Sequence, residues 1–89
     1  MGNCSKHKKE IAGITDMQEL AIMIGDLHYE SLSELLQYLS VKLEYDASKD
    51  TNGGRLHLAH HLEMCAWNIK LASQRAESAW RISKPYMAE

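Results

Sequence analysis

The chain has 89 residues, of which 45% are hydrophobic and 25% charged, with a formal net charge of −2 at pH 7. That length makes one domain with a modest core, and the composition is that of a globular protein, which excludes wholesale disorder. Acids and bases are interspersed beyond the first ten residues, against a dedicated nucleic-acid surface. No apolar run is long enough to span a bilayer, and no apolar leader follows the N-terminal charges.

Residues 1–14 are polar, basic at Lys6, Lys8 and Lys9, and without periodicity, so they read as a flexible basic tail. Gly2, Cys4 and the basic cluster also suggest the paired signal of a myristoyl chain with a palmitoyl chain or with charge. The hydroxyl residue of that signal is displaced, since Lys6 holds its usual place and Ser5 precedes it.

Thr15 followed by Gln18 reads as a capping box, and Asp16 and Glu19 suit the positive end of a helix. Met17, Leu20, Ala21, Ile24 and Leu27 then recur at helical spacing, and Leu32, Leu35, Leu36, Leu39 and Leu43 continue the stripe. The spacing predicts one helix over 16–47. The alternative is a break near Gly25 and Asp26, with Asp26 or Ser31 capping the second piece.

Turn formers follow, and 48–53 reads as a turn ending in Gly53. Its oxygen-bearing side chains do not make a calcium loop. Counted from Asp46, Thr51 stands where that loop needs glycine and His57 where it needs glutamate. A second helix is predicted over 54–83, limited by Pro85, with Arg81 and Lys84 near its negative end and 85–89 as a short tail. Its main face is mostly small: Ala59, Ala66, Ala72, Ser73, Ala76 and Ala79 lie among Leu58, Leu62, Ile69 and Trp80.

Two long helices joined by a short turn form an all-α antiparallel hairpin over 15–84. Apolar residues remain outside the seam on both helices. The first carries Ile22, Met23, Tyr29, Tyr38, Val41 and Tyr45, and the second carries Leu56, Met64, Trp67, Leu71 and Ile82. Such surface marks an interface, and a two-fold dimer closing a four-helix bundle is its simplest cover; a first helix broken near Gly25 would instead allow a three-helix monomer to bury much of the same surface. The reading is a small non-enzymatic interaction or regulatory protein, with no cofactor and no nucleic-acid or membrane partner. Its protein-contact site is placed on Leu56, Met64, Trp67, Leu71 and Ile82. Cys4 and Cys65 read as free thiols, which points to the cytoplasm.

Two chemical alternatives centre on the start of the second helix. His57 and His61 share a face with Cys65 one turn on, a spacing that suits zinc, with His28 or Asp46 as a further ligand. Arg55, followed by His60 and His61, resembles the arginine–histidine ribonuclease motif of HEPN helical-bundle nucleases. The resemblance covers these few residues, and Leu56 stands where that motif often has a polar residue. It implies that His60 or His61 acts as acid or base while Arg55 binds phosphate.

Overall fold

The computed structural model describes residues 7–86. Three helices follow in order: α1 (Met17–Gly25), α2 (Tyr29–Asn52) and α3 (Leu56–Ser83), with a 3-10 turn at Lys84–Tyr86. The all-α antiparallel hairpin is present as α2 and α3. Gly2 and Cys4, the residues of the anchor signal, lie outside the described residues.

The helix predicted over 16–47 is two helices. Gly25 is the last residue of α1, and the Asp26 amide closes its end by donating to the Ile22 carbonyl at 2.9 Å. His28 then leaves helical geometry at φ −50° and ψ 141°, and its Nδ1 accepts from the Glu30 amide at 3.2 Å. The cap of α2 is therefore His28, not Asp26 or Ser31. A glycine inside a helix costs about 1 kcal/mol relative to alanine, so a break here spares a weak point while both new ends gain partners. The N-cap of α1 also shifts by one residue. Asp16, rather than Thr15, accepts from the Gln18 amide at 3.0 Å.

The turn between α2 and α3 is shorter than 48–53. Residues 48–52 stay helical, and the reversal occupies Gly53, Gly54 and Arg55. Gly54 has φ +83°, a left-handed conformation that glycine adopts without the strain a side chain would bring. The Arg55 amide donates to the Asp50 carbonyl at 2.8 Å, and its guanidinium Nε donates to the Asp50 carboxylate at 2.6 Å. These two bonds tie the incoming helix to the outgoing one.

The seam of the hairpin is made of small residues at every seventh position. On α2 these are Ser33, Ser40 and Ala47; on α3 they are Ala59, Ala66 and Ser73. All except the half-buried Ser33 are buried, and Ala66 is fully so. The register is fixed where Ser33 meets Ser73. The Ser33 hydroxyl donates to the Ser73 carbonyl at 3.0 Å, and the Ser73 hydroxyl donates to the Ser33 carbonyl at 2.9 Å. Because the helices run antiparallel, seven residues forward along α2 match seven back along α3, so Ser40 comes level with Ala66 and Ala47 with Ala59. A strict seven-residue repeat keeps one stripe facing the partner helix and winds the pair left-handed. Small side chains let the backbones approach closely.

The far end of the hairpin is closed by Trp80. The His28 ring meets it edge-on with centroids 4.3 Å apart, and the Lys84 ammonium lies 5.7 Å from the centre of its ring. His28 thus both caps α2 and packs the start of α2 on the end of α3. By contrast α1 has no buried residue and packs little against the hairpin. Ahead of it, Ile11 and Ile14 exchange backbone bonds of 3.2 and 2.8 Å around Ala12 and Gly13, both at positive φ. That tight turn lies inside the segment read from sequence as a flexible tail.

Candidate functional site

The five residues singled out on α3 are all exposed. Trp67 is 52% accessible, with Leu56, Met64, Leu71 and Ile82 exposed beside it. At about 100° per residue they fall within about 80° of arc, so they form one ridge along the side of α3 away from α2. None enters the seam.

The small-residue seam separates two further faces, and these differ in chemistry. One flank carries Glu34 and Gln37 of α2 with Glu77 and Arg81 of α3, and these line a shallow polar depression with Ser33 and Trp80. Glu44, Glu63 and Lys70 continue the same heptad flank. The opposite flank is aliphatic. Leu32 and Leu39 stand on α2 at the positions just before the small seam residues, and Leu58, Cys65, Ala72 and Ala79 stand at the same positions on α3. Between the two rows, Leu36 and Leu43 face Leu62 and Ile69, each only half-buried. Leu35 widens this face at its edge.

This leucine face is the surface that sequence reasoning misplaced. The helical stripe puts Leu35 and Leu39 with Leu32, Leu36 and Leu43 in the hairpin seam, yet Leu35 is 38% and Leu39 41% accessible. Leu58, assigned to the seam on α3, is 48% accessible. The signal that would have placed them is the heptad echo between the helices. Serine and alanine at matching intervals in both segments identify the close-packed line, and the leucines then lie beside it. No large side chain is fully buried anywhere among the described residues.

The histidines sit at the start of α3. The rings of His57 and His61 stack with centroids 6.2 Å apart, and His60 meets His61 edge-on at 5.5 Å. Cys65 is an exposed free thiol on the leucine flank. Among the described residues, no group of three or more His, Cys, Asp or Glu side chains is arranged to hold a metal ion. His28, considered as a further ligand, lies against Trp80 at the opposite end of α3, roughly 30 Å along the helix from His57. Asp46 is engaged with Lys42 at 2.6 Å. Arg55, the arginine of the nuclease-like motif, lies in the turn and is paired with Asp50.

The turn end of the hairpin is a charged cluster of three bases and two acids. Lys42, Lys49, Asp46, Asp50 and Arg55 surround a small depression to which His7 also contributes. The hydrogen bond from Lys42 holds the Asp46 carboxyl below its usual value; burial opposes it, and the Lys42, Lys49 and His7 charges each add a lesser lowering.

No described helix is long and apolar enough to cross a membrane. Comparison with protein-family models, with curated proteins and with solved structures finds no match for this chain.

Proposed function

We propose that this chain is a small non-enzymatic helical interaction module, acting through protein contacts made by the α2–α3 hairpin. The observation that carries the reading is where the large apolar side chains lie. The hairpin buries only alanines and serines, and it leaves Trp67, Leu71, Met64 and the leucine face accessible to solvent. Apolar surface of that extent on so small a chain is characteristic of a protein-binding surface. Trp67 is the natural anchor, because tryptophan contributes large contact area at little entropy cost and dominates many interfaces. The ridge built on Trp67 is the face for a different protein, and self-association is a second mode of contact. The exposed free thiol of Cys65 fits a reducing compartment, and we place the protein in the cytoplasm.

The test is a pulldown from the native cell with the full chain as bait, followed by purification of the retained protein. Trp67→Ala weakens binding to that partner by roughly thirtyfold, the scale of a hot-spot tryptophan, as read by titration calorimetry. Retention that is indifferent to Trp67→Ala and Leu71→Ala, or no stoichiometric partner at all, overturns the assignment of the ridge.

A further inference from the structure

We infer that the leucine face of the hairpin is covered by a second copy of this chain, forming a two-fold four-helix bundle. The inference deepens the interaction-module reading and names one occupant for a face distinct from the Trp67 ridge.

Three observations on the molecule select a second copy. The first is area. The chain exposes 7252 Å², whereas a folded monomer of 10.1 kDa exposes about 5,300 Å². The difference, roughly 2,000 Å², is spread over the whole elongated chain, α1 included, and leaves ample room for the ~800 Å² that each partner contributes to a stable interface of standard size. The second is the absence of any fully buried large side chain among the described residues. A hairpin whose only buried apolar groups are three alanines lacks the core that holds a domain of this size together. A second layer laid on Leu36, Leu39, Leu43, Leu62 and Ile69 supplies it.

The third observation is charge. A two-fold interface sets a surface against itself, so any charge at its centre meets a like charge. On α3 the two rows of the leucine face run from Leu58 to Ser83 with no acidic or basic residue. On α2 the rows are aliphatic from Leu32 to Leu43, and the acids, Asp46 and Asp50, come only at the turn end, where Lys42 and Arg55 pair them. The opposite flank carries Glu34, Glu44, Glu63 and Glu77 against only Lys70 and Arg81, so setting it against itself would bury a net acidic, charged surface, and it remains in solvent. The four helices then pack as two antiparallel pairs.

The experiment uses the full chain carrying Cys4→Ser, so that Cys65 is its sole thiol. Sedimentation at high micromolar concentration is expected to give twice the chain mass. The Leu39→Glu and Leu58→Glu variants shift it to the monomer mass, while Trp67→Ala and Val41→Glu leave it a dimer. Cys65 lies within the covered face, so its alkylation in the parent is at least about tenfold slower than in Leu39→Glu. A cooperatively folded monomer in the parent overturns the inference. So does a dimer that survives both leucine variants, or one in which Cys65 reacts as fast as in Leu39→Glu. Loss of the dimer on Trp67→Ala points instead to pairing through the ridge. If the leucine variants fail to fold, the Cys65 rate measured across a dilution series of the parent decides: the rate rises on dilution only if that face is the interface. None of these results depends on the Trp67 partner, and loss of that partner leaves the dimer intact.

Discussion

At the scale of single residues, the polar side chains of the hairpin act mostly as fasteners of backbone. Ser33 and Ser73 each donate to the other's carbonyl, which locks register more firmly than two alanines at the same place would. His28 uses one ring nitrogen to cap α2 and one ring edge to contact Trp80. Both roles were invisible to sequence reasoning, which weighed His28 only as a metal ligand, because a histidine cap has no regular spacing to detect. Asp46 gives the clearest electrostatic prediction. Its folded-state value is lowered chiefly by the hydrogen bond from Lys42. The associated stabilisation is therefore complete above the ordinary carboxylate range and is lost as pH falls through the lowered value. Lys42→Met should move the Asp46 midpoint up towards the ordinary carboxylate value, as followed by NMR of its carboxyl carbon, and should flatten the acid limb of the stability profile. An unmoved midpoint contradicts the assignment of Lys42 as the main cause.

At the scale of elements, the division of the first segment into α1 and α2 is decided by what each piece can pack against. The apolar stripe keeps one phase through Gly25, so periodicity alone extends a single helix across it. The chain breaks there because glycine weakens the centre, Asp26 and His28 satisfy the exposed ends, and only α2 has a partner helix. The α2–α3 contact rests on side-chain size. Ala66 has no exposed surface and lies opposite Ser40 at the middle of the seam. Ala66→Leu forces the backbones apart and is expected to destabilise the protein by about 1–3 kcal/mol, the usual cost of overpacking, measured by urea unfolding. Leu at Leu71, on the solvent ridge, is by contrast replaceable by Ala with little effect on that measurement. A neutral Ala66→Leu would show that the seam is looser than its burial indicates.

At the scale of the whole molecule, the described chain is elongated, with extents of 50 × 27 × 14 Å, and its interior is a line rather than a volume. Such a shape draws much of its stability from whatever covers it. Thermal unfolding of the full chain is therefore expected to be concentration dependent, because binding to the folded state raises its stability by mass action. A midpoint that stays constant across a hundredfold dilution would mean that the hairpin is self-sufficient. The ridge on Trp67 lies on α3, on a different side from the leucine face that α2 and α3 share, so one copy can hold a second copy and still present tryptophan to another protein.

The sequence by itself determined the helical class, the hairpin, a reversal that includes Gly53, and the end of α3 before Pro85, while the structure confined that reversal to Gly53, Gly54 and Arg55. Each of these depends on local chemistry: apolar spacing, glycine at a positive φ, and a proline that cannot continue a helix. It also found the exposed ridge of Leu56, Met64, Trp67, Leu71 and Ile82, since that ridge is a property of one helix. The small face of α3, with Ala59, Ala66 and Ser73, is likewise legible in the sequence as the side that packs on the first helix. Only the tertiary structure decided which residues of α2 meet it and that the leucines lie beside it. Leu35, Leu39 and Leu58 have the phase of core residues, but the close-packed line belongs to Ser33, Ser40 and Ala47 against Ala59, Ala66 and Ser73. The choice depends on the rotation of each helix against the other, and that rotation is set by backbone approach and by a serine pair forty residues apart in sequence, which periodicity within either helix does not encode.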